Sequence, residues 1–96
     1  MTKVEQRDSN VIAVSGDLLF SSVMTVRGEL ESLLAAGQGD RVLDLAGVSR
    51  ADSSALALWF ACRRYAKSLG FDLSLRNIPQ GMASVADLVG LDHSLG

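Results

Sequence analysis

The residues with the clearest chemical potential are Asp52, Ser53 and Ser54, which follow one another at the expected start of a helix. A serine at a helix N-terminus could act as a nucleophile, because the free backbone amides there can hold an oxyanion. Such a serine needs a base, usually a histidine that a third group orients. The one histidine, His93, lies near the C-terminus, and the Gly-x-Ser-x-Gly pattern is absent. We therefore predict that the protein is not an enzyme, and a small hydrolase stays only a remote alternative.

Metal and cofactor sites find little support in the sequence. Asp40, Asp44 and Asp52 offer oxygen ligands, but they lack the spacing of a calcium loop. The single cysteine, Cys62, excludes an intramolecular disulfide and a zinc site of several cysteines. The glycines lack the lysine and hydroxyl residues of a phosphate-binding loop. We predict no cofactor and no metal.

Composition limits the possible partners. The 96 residues form one predicted domain, residues 1–96, with 48% hydrophobic and 21% charged residues. A net charge of −2 with interspersed signs gives no basic surface for nucleic acid. The polar N-terminus is not a signal peptide, and no apolar run reaches the roughly 20 residues that span a bilayer. We expect a cytoplasmic protein that reaches a membrane only indirectly, through a partner.

The elements around the serines are a buried strand, a polar turn and a helix. The spacing predicts a strand over 41–46, a small polar turn over 47–54 and a helix from Ser53 that ends at Gly70. A continuous apolar stripe should pack the helix on a sheet: Ala55, Leu58, Trp59, Cys62, Ala66 and Leu69. Leu56 and Phe60 lie outside that stripe, so we expect both to be exposed beside the serines.

Two interpretations of this exposed region remain open. In the first, the serines simply cap the helix, and the C-terminal tail or the last helix covers Leu56 and Phe60. Alternatively, apolar surface rimmed by polar residues marks a binding site. Arg63, Arg64 and Lys67 further along the helix indicate a solvated face, with partner contact as the second interpretation.

The rest of the chain predicts alternating strands and helices. An N-terminal hairpin with strands near Val4 and over 11–15 should break at Gly16-Asp17, and a helix capped by Ser21 or Ser22 should run through Ala36. Gly37 should end it in the left-handed conformation. An edge strand from Phe71 and a last helix from Gln80 or Gly81 through Val89 follow. The fold class is α/β, with a mixed sheet of four or five strands and about three helices mainly on one face.

These residues resemble the STAS domain, named for sulphate transporters and anti-sigma factor antagonists. The resemblance covers nearly the whole chain and is carried by 42–45, Val48, 52–56 and the upstream Ser15-Gly16-Asp17-Leu18. It implies the hairpin and alternating elements described above. In the antagonists the first serine of Asp-Ser-Ser-Gly-Leu, here Ser53, is phosphorylated by a partner kinase.

Two departures from the antagonist pattern favour another branch of the family. Leu19 replaces an acid of the usual Gly-Glu-Leu-Asp segment, and Ala55 replaces the usual glycine. The chain is similar to the small STAS subunits of bacterial phospholipid-trafficking ABC transporters, which maintain outer-membrane lipid asymmetry. The similarity lies in its length, its Ser-Arg-x-Asp-Ser turn and its Ala-Leu-Ala-Leu run. This resemblance implies an ABC-transporter ATPase as partner, bound through Asp52, Ser53, Ser54, Leu56 and Phe60. An anti-sigma factor antagonist regulated at Ser53 is the alternative.

Overall fold

A computed structural model describes residues 2–88 of the chain. The helices and strands, in chain order, are β1 (Lys3–Gln6), β2 (Val11–Leu18), α1 (Val23–Ala36), β3 (Arg41–Ala51), α2 (Ser53–Ser68), β4 (Leu73–Arg76) and α3 (Gln80–Leu88). The predicted order of elements is thus confirmed. Val89 and His93, on which two expectations rested, lie outside the described residues.

The four strands form one mixed sheet in the order β1-β2-β3-β4. β1 and β2 are antiparallel and form the expected hairpin, whereas β3 runs parallel to both β2 and β4. The two parallel pairs follow from the intervening helices, because a strand, helix, strand sequence returns the chain in the same direction. The three helices pack mainly on one face, and β4 is an edge strand, as expected.

Two predicted boundaries are wrong, and both errors lie where β2 pairs with β3. β2 continues through Gly16 and Asp17 to Leu18. Its pairing with β3 shifts register on both sides of Gly16, which has a φ of +91°, but the strand does not end there. β3 does not turn at Gly47 but continues to Ala51, which pairs with Leu18. The polar turn is therefore reduced to Asp52, and the ends of both strands lie directly beneath the start of α2.

α2 lies between the other two helices and contacts both. Its buried residues include Trp59, which is 2% exposed, and Cys62, which is fully buried. Burial raises the pKa of the Cys62 thiol to about 12, so the thiol stays protonated and unreactive at neutral pH. The predicted stripe is correct except at its end, where Leu69 is 42% exposed because α2 has ended at Ser68.

The C-terminus of α1 is held by Arg41, which is buried although it is charged. Its guanidinium donates hydrogen bonds to the carbonyls of Leu33 at 3.2 Å and Leu34 at 3.5 Å, and it lies 5.1 Å from the centre of the Phe71 ring. Gly37 is extended, with a φ of −109°, so the left-handed prediction is wrong. A Cβ at Gly37 would lie 2.7 Å from Cζ of Arg41, so a larger residue there would require the guanidinium to shift.

α3 begins at Gln80 and buries Met82 and Ala86 against the rest of the protein, while Val85 is half-buried. Its first turn approaches the end of β3 closely, since a Cβ at Gly81 would lie 2.6 Å from the Ala51 carbonyl oxygen. Within residues 2–88, no helix has the length and hydropathy needed to cross a bilayer.

Candidate docking surface at the start of the central helix

Asp52 links two separate segments of the chain. As the N-cap of α2, its carboxylate accepts a hydrogen bond from the Ser54 amide at 2.8 Å, which satisfies one of the free donors of the first turn. The same carboxylate accepts a second bond from the Phe20 amide at 3.2 Å. The Asp52 amide in turn donates to the Leu18 carbonyl at 3.3 Å. The segment between β2 and α1 is thus fixed to the start of α2.

The charge of Asp52 is stabilised in this position. Partial burial disfavours the carboxylate form, but the hydrogen bonds from the Ser54 and Phe20 amides outweigh it, and the pKa of Asp52 is lowered from 3.8. Asp52 is therefore ionised at neutral pH. Its negative charge lies at the N-terminus of α2, where the helix dipole favours it.

A second group of contacts orders the segment before α1. The Ser22 hydroxyl accepts a hydrogen bond from the Leu19 amide at 3.1 Å and donates to the Asp17 carbonyl at 2.9 Å. The Asp17 carboxylate accepts from Arg50 at 2.8 Å, and this bond lowers the pKa of Asp17. Asp17 and Arg50 lie on neighbouring strands, so the pair joins the ends of β2 and β3.

The two predicted serines differ in their surroundings. Ser53 is exposed, and its hydroxyl makes no hydrogen bond within residues 2–88. Ser54 is half-buried and lines a groove between α1 and α2. Asp52, not a serine, therefore caps the helix, and Ser53 is accessible to a partner or a modifying enzyme.

The expectation that Leu56 is exposed is wrong. Leu56 is 6% exposed and belongs to the hydrophobic core, because helices cover α2 on both sides and a second row of its side chains is buried. Phe60 is half-buried and packs against the core. Its outer part lines a shallow depression with Arg63, Arg64 and Lys67. The predicted apolar centre is therefore not formed by these two residues.

Other residues supply exposed apolar surface at this end of the protein. Phe20 is 82% exposed and Met24 is 74% exposed, although both are large hydrophobic side chains. They line the groove of about 200 Å³ between α1 and α2 together with Ser54 and Ala57. We call Phe20, Met24, Ser53, Ser54 and Ala57 the corner surface. In the run Leu18-Leu19-Phe20, Leu18 is buried, Leu19 is half-buried and Phe20 projects outward, a difference that the three apolar residues do not show in the sequence.

The corner surface has the character of a protein contact. Small-molecule sites commonly enclose about 300–1,000 Å³ and converge several polar groups, whereas this groove is smaller and mostly apolar. Within residues 2–88, no group of three or more metal-binding side chains lies together. An exposed aromatic residue beside polar groups is a common composition for the centre of an interface.

Comparison with protein families identifies the kind of domain. The family model described as "Mlab, STAS domain" matches residues 1–96. The chain belongs to this MlaB-like STAS family. No curated protein sequence matches the chain. Members of the STAS family include domains that regulate by binding other proteins, which fits the protein-contact character of the corner surface.

Solved structures show the same fold at low sequence identity. The phosphorylated form of the Bacillus cell fate determinant SpoIIAA has a TM-score of 0.69 at 19% identity, over 95% of this chain and 85% of that one. An anti-sigma factor antagonist from Mycobacterium paratuberculosis has a TM-score of 0.71 at 24% identity, over 99% and 81%. A sulfate transporter family protein from Wolinella succinogenes has a TM-score of 0.65 at 16% identity, over 98% and 76%. These similarities establish the STAS fold of the chain.

Proposed function

We propose that this STAS domain is a non-enzymatic cytoplasmic subunit that binds the ATPase of a phospholipid-transporting ABC complex. The partner is an MlaF-like ATPase subunit, and the domain stabilises or regulates it in a complex that maintains outer-membrane lipid asymmetry. The domain reaches the inner membrane only through this complex. Membership of the MlaB-like family supports the proposal.

The observation that carries the proposal is the exposed side chain of Phe20, held next to Ser53 through Asp52. Exposing a phenyl ring to water is unfavourable by about 25 cal/mol for each Å² of apolar surface, so a partner that covers it gains that free energy. The backbone of Phe20 is already fixed by the bond from its amide to Asp52. Binding therefore costs little backbone conformational entropy at Phe20, which favours affinity.

The corner surface provides a small interface with an apolar centre. Phe20 and Met24 supply that centre, while Ser53 and Ser54 supply polar groups at its edge. A standard interface covers about 800 Å² on each partner, which is enough to include the corner surface and the outer face of α2. We propose that Asp52 acts from beneath by positioning Phe20 and Ser54, and that Leu56 supports the surface from the core.

A second candidate function is that of an anti-sigma factor antagonist regulated by phosphorylation of Ser53. The exposure of Ser53 favours this alternative, because a kinase needs an accessible hydroxyl. A phosphate on Ser53 would add about −1.5 to −2 charges next to the ionised Asp52. In both candidate functions the phosphate should weaken binding of the partner, because Asp52 repels its charge and because a partly apolar contact would remove water from it.

Binding to purified partners separates the two candidates. The full chain is mixed in turn with the ATPase of a phospholipid-transporting ABC complex and with an ATP-binding anti-sigma serine kinase, both from the same organism, and each mixture is passed over a size-exclusion column. Co-elution with the ATPase supports the first function. Co-elution with the kinase alone, together with a mass increase of one phosphate at Ser53, would replace it with the second.

A further inference from the structure

A basic depression lies on the outer surface of α2, further along the helix than the corner surface. Phe60, Arg63, Arg64 and Lys67 line it, and no acidic residue of the 2–88 range lines it. We call these four residues the basic groove. Phe60 is half-buried and forms its apolar part, and Arg64 and Lys67 are exposed. Arg63 lies 6.0 Å from the centre of the Trp59 ring, so its guanidinium is partly held by the buried aromatic residue.

The basic groove and the corner surface share one face of the helix. Ala57, Phe60, Arg64 and Lys67 follow Ser53 at four, seven, eleven and fourteen positions, which is the spacing of a single helix face. With a rise of 1.5 Å per residue, Lys67 lies about 21 Å from Ser53 along the helix axis. A partner of ordinary interface size that covers the corner surface can therefore reach the basic groove.

The charge of this helix differs from that of the whole chain. The chain has a net charge of −2, but α2 has three basic residues and no acidic one. Arg64 and Lys67 make no ion pair with any residue of the 2–88 range. Lys67 lies in the last turn, where the helix dipole favours a cation, but Arg63 and Arg64 precede that turn. Arg64 and Lys67 thus place two positive charges, with no acidic partner in residues 2–88, on the helix face that carries Phe60.

We propose that the basic groove binds an acidic segment of the same ATPase that docks on the corner surface, an inference that rests on the proposed function. Arg64 and Lys67 pair with carboxylates of the segment, and an apolar residue of the segment contacts Phe60. A lipid surface fits the groove less well, because membrane-bound helices insert projecting apolar side chains between their cations. Phe60 packs against the core instead, and the projecting Phe20 belongs to the segment before α1, next to the N-cap of α2.

The test measures how fast the chain associates with the purified ATPase as ionic strength is varied. The first variant combines Arg64→Gln with Lys67→Gln, which keeps good helix formers in α2. The matched control combines Lys3→Gln with Arg76→Gln, which removes the same charge from β1 and β4. Lys3 and Arg76 alternate with Val4 and Leu75, which are half-buried and pack against the core, so Lys3 and Arg76 lie on the sheet face opposite the helices. Unfolding midpoints of all three proteins are compared first.

The proposal predicts that the groove variant associates about fivefold more slowly than the wild-type chain at low ionic strength, and that the difference narrows at about 1 M salt. The control variant should associate like the wild-type chain. Equal rates for the groove and control variants would overturn the inference while leaving the proposed function intact. Failure of the wild-type chain to bind the ATPase would overturn both.

Vesicles of phosphatidylglycerol and phosphatidylethanolamine distinguish a lipid surface from a protein segment. Under the proposal, neither the wild-type chain nor the groove variant sediments with these vesicles. Sedimentation of the wild-type chain that the groove variant loses, with unchanged association to the ATPase, would assign the groove to lipid headgroups and overturn the acidic segment.

Discussion

The carboxylate of Asp52 accepts a hydrogen bond from the amide of Phe20, although the two residues are 32 positions apart in the chain. The same carboxylate caps α2 through the Ser54 amide. One side chain therefore determines both where the central helix begins and where an exposed aromatic residue stands.

Replacing Asp52 with alanine should lower the free energy of unfolding by about 1 kcal/mol, because an N-cap is lost. Amide hydrogen exchange at Phe20 and Ser54 should become faster, since both amides lose their acceptor. Urea unfolding and exchange measured by NMR check the two effects. Asp52→Asn is the matched control, because asparagine is an equally good N-cap. Unchanged exchange at Phe20 in Asp52→Ala would contradict the link between the two segments.

The stability difference between the wild-type chain and Asp52→Asn should depend on pH. The folded pKa of Asp52 is lowered, so the ionised carboxylate contributes stability that is fully present above the unfolded value of about 3.9. That contribution is lost as the pH falls through the lowered folded pKa. The difference in unfolding free energy should therefore be largest near pH 6 and shrink below about pH 4. A difference that is constant from pH 6 to pH 3 would contradict the lowered pKa.

Two glycines should respond to alanine with opposite signs. Gly81→Ala places a Cβ 2.6 Å from the Ala51 carbonyl oxygen, and moving the backbone apart should cost about 1–3 kcal/mol. Gly28→Ala, in the middle of α1 with no atom within 4 Å of the new Cβ, should stabilise by about 0.5–1 kcal/mol. Thermal unfolding of both variants measures the contrast. A neutral Gly81→Ala would mean that α3 does not pack closely on the end of β3.

Arg41→Lys should be strongly destabilising for a change that keeps the charge. Lysine lacks the planar guanidinium that reaches the Leu33 and Leu34 carbonyls and stacks on Phe71, and a lost charged hydrogen bond costs about 1.5–3 kcal/mol. Arg27→Lys is the control, because Arg27 makes only an exposed pair with Glu31 that is worth at most about 0.5 kcal/mol. Urea unfolding midpoints compare the two. Similar losses in both variants would show that Arg41 does not anchor α1.

Ser53→Glu should reduce binding to the ATPase without destabilising the domain. Ser53 is exposed in the first turn of α2, where the helix dipole favours an acid while Asp52 repels it, so stability should change by less than about 0.5 kcal/mol. Affinity should fall at least about tenfold, and Ser53→Ala should bind much like the wild-type chain. Calorimetric titration gives both affinities. Full binding by Ser53→Glu would exclude Ser53 from the contact.

Periodic patterns in the sequence predicted the elements, their order and the parallel pairing of β2 with β3. The errors arose where tertiary contacts override local composition. The polar residues after Gly47 suggested a turn, but pairing with β2 extends β3 to Ala51. Leu56 lies outside the main apolar stripe, yet a helix that contacts two neighbours buries more than one row of side chains.

Asp52 and Ser53 were predicted as site residues from capping chemistry and from the resemblance to the STAS family. The structure shows Asp52 as the N-cap of α2 and Ser53 as exposed, and their contact with a partner stays a prediction. Phe20 was missed as a site residue because a single apolar residue in a connecting segment has no periodicity that indicates its exposure. Its position depends on the long-range bond to Asp52, which no local pattern encodes.

The affinity of Phe20→Asp for the purified ATPase tests the central claim most directly. Leu88→Asp is the matched control, because Leu88 is also exposed by more than four-fifths but lies at the end of α3 and not in the segment before α1. Calorimetric titration should show that Phe20→Asp weakens binding about thirtyfold or more, as expected for the centre of an interface, while its unfolding midpoint stays that of the wild-type chain. Binding of Phe20→Asp with the affinity of the wild-type chain and Leu88→Asp would contradict the assignment of the corner surface as the docking site.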